Sequence, residues 1–483
     1  MEGTDAQLVV TRWVGLSVVP FVHGCADRVV SKDPGKCGLA ASASAQGLPG
    51  EGRHLDLVGV DVTQAAIERG SVSLREIRRQ GQLIFSVPFN KADGYGDGPG
   101  IDPDPTSPGG RPTLQDNGTF LRVNGLDAQS CLECHAIVSN RSVPATFGVG
   151  GVGGAVSNAM LLPLRVDPQD GTFDGRFINP PFLFGSGGVQ LLAQEMTLDL
   201  RVQADAAEAD PDVPVALATH GVSFGTIVYE SASGDFDLSG IEGIDDDLVV
   251  RPFGRKGEFH TVRDFALGAL IFHFGIQPVE IVGPGVDGDD DGVADEISVG
   301  EVSALEIFST TLTPPVQTRL DRAARAGRTL FEAAGCSDCH IPFLETRGRI
   351  LEYRLPEDPG AAGFYSVNLS RAPVRFAKAP KGSLRVPLFA DLKRHHMGPD
   401  LAENFGSHLD AYFTTARLWG IWDTAPYLHD GRATTLVEAI TLHGGEAQPA
   451  RDHFVAFTET EKAQFLAYLA TLRTPKNATR NLR

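Results

Sequence analysis

Four of the six cysteines in this chain of 483 residues stand in two copies of one pentapeptide, Cys131-Leu132-Glu133-Cys134-His135 and Cys336-Ser337-Asp338-Cys339-His340. No other feature constrains the chain as strongly. From its Cys and His frequencies, roughly 0.002 such pentapeptides are expected by chance. Paired thiols with an adjoining imidazole are what covalent c-type haem attachment requires: the thiols add across the haem vinyl groups and the histidine takes the iron. A zinc site does not call for a histidine directly after each pair, and a thioredoxin-like dithiol wants a strand before it, where this sequence reads as helix. The expectation is two covalent haem c groups, one on Cys131, Cys134 and His135, the other on Cys336, Cys339 and His340.

One haem per domain then divides the chain. Residues 1–37 read as a leader and N-terminal segment, 38–313 as a first haem domain, and 314–483 as a cytochrome c-like domain, with Pro314-Pro315 blocking helix continuation at the seam. The predicted fold is mainly α with extensive irregular loops, since the chain holds 55 Gly and 31 Pro. Residues 316–335 carry Val316, Leu320, Ala324, Phe331 and Ala334 on one helical face running into Cys336. Thr458 and Glu461 form a capping box before a closing amphipathic helix. Residues 94–112 read as a long loop. The Gly-x-Gly-x-x-Gly at 148–153 lacks the flanking strand and helix of a dinucleotide site.

The formal charge of −19 excludes nucleic acid as a partner and suits a basic redox protein. Covalent haem resembles that of exported cytochromes, which implies a periplasmic or otherwise exported protein. The apolar run after Arg12, "WVGLSVVPFVHG", is too short to span a bilayer and reads as a signal core. It ends at Cys25, either a lipid-anchor site or the disulfide partner of Cys37.

The stretch "DGDDDGVADE" sets Asp287, Asp289 and Asp291 at alternate positions. Gly292 follows at the sharp turn, then Asp295 and Glu296, in the ligand order of a calcium loop. The twelfth position is Ser298 rather than Glu, so this is no standard EF-hand.

The segments "GLDAQSCLECHA", "RPFGRKGEFHTVRDFALGALIFHFGIQP", "LFEAAGCSDCHIP", "LKRHHMGPDLAE" and "TTARLWGIWDTAPYLHDGRATTLVEAITLHGGEA" together resemble the bacterial di-haem cytochrome c peroxidase superfamily, in its di-haem oxidoreductase branch. The resemblance implies two cytochrome c-like domains, a six-coordinate C-terminal haem that relays electrons, and an N-terminal haem that meets hydrogen peroxide or O₂. The donor it implies is a small redox protein or a quinol-side donor. On that footing His340 is a proximal ligand, and the distal ligand is His443, with Met397 as the alternative. His443 falls on the buried face of "LVEAITLH" with Leu436 and Ile440. His135 is the other proximal ligand, and no histidine follows before His220, which implies an open iron. Glu195, at the family's distal-glutamate offset, is the expected acid–base group, with Gln194 and Gln190 behind it. Where many relatives carry a tryptophan after "FG", Arg255 stands, and Trp419 and Trp422 are the remaining aromatic candidates for a relay. The superfamily also houses oxygen-using haem enzymes that cleave apolar substrates, so an oxygenase and a non-enzymatic electron carrier stand as alternatives.

Overall fold

A computed structural model describes residues 62–96, 113–114, 119–120, 130–135, 179–180, 183–356, 361–403 and 407–475, without the side chains of Glu133, Cys134 and Phe272. Cys25, Cys37, the glycine motif at 148–153 and most of the 94–112 loop lie outside these residues. No helix among them is long and apolar enough to cross a membrane.

Helix α1, Leu74–Ser86, starts at a Ser73–Glu76 capping box and buries Ile77, Ile84 and Phe85 on one stripe. The first haem motif forms a single turn, α2, Cys131–Cys134. The long α3, Ser186–Ala209, packs on an antiparallel sheet of β1 (Val215–Thr219), β2 (Val222–Glu230) and β3 (Asp235–Asp237). Thr261 caps α4, Val262–Ala269, which continues through a wide turn at Leu270–Phe274. Helix α5, Val299–Thr310, is buried on every side between α1, α3 and α4, which is why it shows no amphipathic stripe.

The predicted helix at 316–335 begins later than its periodicity indicated. Val316–Gln317 is a strand, β4, and Asp321 caps α6, Arg322–Ala333, by accepting from the Ala324 backbone N–H. The hairpin β5 (Ile350–Arg354) and β6 (Gly363–Asn368) and the short pair β7 (Arg394–His396) and β8 (Tyr412–Thr414) follow. The chain closes with α7 (Leu436–Thr441), α8 (Gln448–Ala456), α9 (Glu459–Leu469) and β9 (Leu472–Arg473), which pairs with β4. The Thr458–Glu461 box opens α9 as the sequence indicated.

The expectation of a mainly α protein needs correcting: the content is mixed, with helices and several small antiparallel sheets. In β5, Leu351 and Tyr353 are buried while Ile350 and Glu352 face outward, and a helix-centred reading passes over such short alternations.

Two hydrophobic cores lie within one compact unit, residues 52–483. The larger joins Ile77 and Ile84 of α1, Leu192 and Met196 of α3, Phe308 of α5, and also Leu351, Tyr353, Leu369 and Leu388 from beyond the proline pair. The smaller joins Phe331 of α6, Phe389, Tyr427, Phe454, Phe465, Tyr468 and Leu472.

Candidate functional site

The second pentapeptide opens where α6 ends. Gly335 takes a left-handed conformation, and Cys336–Asp338 form one tight turn that presents His340 inward. His340 Nδ1 is 3.1 Å from the Phe389 carbonyl oxygen, and Phe389 reaches that position at φ 55, a conformation side chains avoid. On the opposite side, α7 stops at Thr441. His443, just past it, sets its Nδ1 2.8 Å from the Ala439 carbonyl oxygen. Each ring thus gives its Nδ1 proton to the backbone, which leaves Nε2 with its lone pair. The ring centroids are 6.4 Å apart with planes at 53°. Two imidazoles each about 2 Å from an ion between them would stand roughly 6–6.5 Å apart centre to centre. The donor set therefore fits a haem iron held axially by His340 and His443. Burial, followed by the charge of the facing His443, pushes His340 down to about 4; burial also lowers His443. Both are neutral imidazoles, the form a metal takes. The backbone of Met397, the other candidate, packs against Gly444, the residue after His443.

Cys339 lies close to Asp391 and His395, with ligand atoms within 4.8 Å of one another. His395 Nε2 is 2.8 Å from Asp391 and its Nδ1 2.7 Å from Glu446, so carboxylates engage both ring nitrogens and neither is directed at an ion shared with Cys339. Burial would lower its pKa, but the hydrogen bonds to Asp391 and Cys339 and the Asp391 charge raise it to about 11.

At the first motif, α2 packs against α1, and Cys131 and Leu132 lie against the large core. The His135 ring meets Phe265 of α4 edge-on at 6.4 Å. Two imidazoles that the sequence reading passed over, His260 and His273, flank the segment carrying Phe265. The signal was available, since both stand in the quoted "GEFHTVRDFALGALIFHFG".

The three polar candidates on α3 have different surroundings. Fully buried Gln190 donates to Glu306 of α5 at 3.0 Å and accepts from the Val262 backbone N–H at 2.9 Å, so it reaches the start of the helix beside His135. Gln194 is half-buried. Glu195 turns to another face of the helix. It accepts from the backbone N–H groups of Arg347 at 2.7 Å and Gly348 at 3.0 Å, and sits 3.4 Å from His220 Nε2. Five residues along a helix, some 140° of rotation, separate Glu195 from Gln190, and its oxygens are taken by a turn of the 341–349 segment. His220 is likewise occupied, its Nδ1 2.7 Å from the Glu345 carbonyl oxygen.

Arg255 forms a two-pronged pair with Glu403, at 2.7 and 3.3 Å. Its neighbour Lys256 lies over the Phe413 ring at 3.5 Å, and Phe413 stacks on His429 at 4.3 Å. Trp419 is buried against Gly185, whereas Trp422 is 42% exposed.

Away from both motifs, Asp287, Asp289 and Asp291 converge, with one oxygen of each within 4.8 Å of the others. Glu296 is buried beside them, while Asp295 turns away to accept from the Gly285 N–H at 2.7 Å.

Residues 372–472 match the family described as "Di-haem oxidoreductase, putative peroxidase". No curated protein matches the chain. Among solved structures, the chain is similar to "Kuenenia stuttgartiensis Hydrazine Synthase Pressurized with 20 bar Xenon", at 20% identity and TM-score 0.22, over 37% of this chain and 57% of that one. It is also similar to a "MauG-like protein associated with microbial copper homeostasis", at 17% identity and TM-score 0.29, over 61% of this chain and 90% of that one.

Proposed function

We propose that this chain, a member of the di-haem oxidoreductase family over residues 372–472, carries two covalent haem c groups and reduces hydrogen peroxide outside the cytoplasm. The attachment residues are Cys131, Cys134 and His135 for one haem and Cys336, Cys339 and His340 for the other. The observation that carries the reading is the facing pair His340 and His443, both neutral, both pinned through Nδ1, at a separation that suits an iron between them.

When bound, the haems supply one-electron storage at the second site and a reducing iron for peroxide at the first. Each peroxide takes two electrons and two protons to give two waters. The chain's part is positional and electrostatic. The Phe389 and Ala439 carbonyls fix the two ring orientations and make each Nε2 a better donor. Paired histidines give a lower potential than a histidine–methionine pair. Near the first site, Gln190 is the polar group tied to α4, and it orients that helix against His135. His220 is held elsewhere and is unsuited to capping the first iron. The net charge of −19 attracts a basic electron donor, a small redox protein.

The test is haem content and ferric electron paramagnetic resonance on one preparation. Acid–acetone should leave two haems per chain on the polypeptide. The resting protein should give one low-spin and one high-spin signal, and His443→Ala should convert the low-spin signal. Extractable haem overturns covalent attachment. Two low-spin signals would mean a capped first site, with His260 or His273 as the ligand to mutate next.

A further inference from the structure

The acidic loop at 287–296 lies outside both haem motifs. Its first half is folded around Asp287, whose two oxygens accept from the backbone N–H groups of Asp291 at 3.2 Å and Gly292 at 3.0 Å. Gly292 makes the reversal at φ 93. The Asp291 carboxylate in turn accepts from Val293 N–H at 2.7 Å. A cluster of acids alone is commonly just a solvated loop, so the deciding residue is Glu296. It is only 5% exposed, its Oε2 accepts from the Gln277 N–H at 2.7 Å, and its Oε1 is buried with no hydrogen-bond partner. Gln277 ties that carboxylate to the loop, since its own Oε1 accepts from the Gly288 N–H at 3.0 Å, between Asp287 and Asp289. A buried carboxylate oxygen with no donor, tied through Gln277 to a loop that gathers three further carboxylates, is an arrangement that folding alone penalises. A hard cation reverses the sign of every one of these interactions.

We propose that Asp287, Asp289, Asp291 and Glu296 bind one calcium ion. The donor set is all oxygen, without sulfur or imidazole, and it supplies four carboxylates on a flexible loop, which suits calcium better than the tighter octahedral demands of magnesium. Glu296 closes the site in place of the twelfth-position glutamate of an EF-hand, where this chain has Ser298. That serine is occupied as the N-cap of α5, accepting from the Glu301 N–H. Asp295, also expected among the ligands, uses its Oδ1 to accept from the Gly285 N–H. Gln277 clamps the loop from both sides, through Glu296 and through the Gly288 N–H at 3.0 Å. The ion would therefore fasten the segment after α4 to the start of α5.

The experiment is calorimetric titration of CaCl₂ into the chelator-stripped, haem-loaded protein, with thermal melting alongside. One calcium per chain should bind at least tenfold more tightly than magnesium, and calcium should raise Tm. Glu296→Gln should weaken calcium binding tenfold or more, yet raise Tm in ion-free buffer, because the amide is neutral without the uptake of a proton that a buried carboxylate needs. A merely structural role for Glu296 would not produce that opposite pair of effects. Asp290→Asn, on the exposed side of the loop, should bind calcium as the wild type does. Absence of binding at millimolar calcium, or a Glu296→Gln protein that binds as tightly as the wild type, overturns the site. Haem content and spectrum, read on the same samples, test the redox reading separately.

Discussion

At the scale of single residues, Glu195 and His443 show how far a side chain's role depends on what surrounds it. Glu195 satisfies two backbone N–H groups of a turn distant in sequence. Glu195→Ala should therefore cost about 0.5–1.5 kcal/mol of stability, the usual net worth of hydrogen bonds to partly exposed groups. Denaturant titration measures it, and peroxide turnover of the folded variant should change by less than about threefold. If turnover instead fell ~10²-fold with stability intact, the distal acid–base role would stand after all. His443 was legible from the sequence because seven residues from Leu436 return to the same helical face. Its Nδ1 partner was not, since the helix stops at Thr441 and the ring bends back to Ala439 only in the folded chain.

At the scale of elements, the crossing of α6 and α9 frames the second haem motif. A Cβ at Gly327 would run into the backbone of Gln464 and the side chain of Tyr468, so the two helices meet with no side chain between them at that point. Gly327→Ala should destabilise the protein by about 1–3 kcal/mol through overpacking, despite the better helix propensity of alanine. Thermal unfolding followed by circular dichroism should show the loss, and an unchanged midpoint would mean that the helices can part without cost. The capping boxes at Ser73–Glu76, Ser298–Glu301 and Thr458–Glu461 are local signals, and the last of them was read directly. The start of α6 was not: the apolar period ran back to Val316, but Asp321 supplies the cap, and pairing with β9 draws residues 316–317 into a strand.

At the scale of the whole molecule, the two cores do not follow the proline seam. Leu344, Leu351, Leu369 and Leu388 come after Pro315 yet pack with α1, α3 and α5. A fragment comprising 314–483 would leave that apolar surface bare. Limited proteolysis should therefore release no stable fragment beginning near residue 314, and the same fragment expressed alone should aggregate or bind a hydrophobic dye. A soluble, haem-loaded 314–483 fragment would show instead that the β5–β6 region can fold with the C-terminal core alone.

The sequence by itself determined the candidate sites: two Cys-x-x-Cys-His pentapeptides, the helix leading into the second, the alternating aspartates and the His443 register are all short-range patterns, readable because each needs only a few consecutive residues. Tertiary structure decided the long-range pairings. It brought His443 near His340, gave Glu195 to the 347–348 turn, set Gln190 between α4 and α5, joined residues 344–388 to the first core and buried Glu296 against the Gln277 backbone. Such partners are separated along the chain by loops whose closure is governed by the burial of both cores together, and no local period records that.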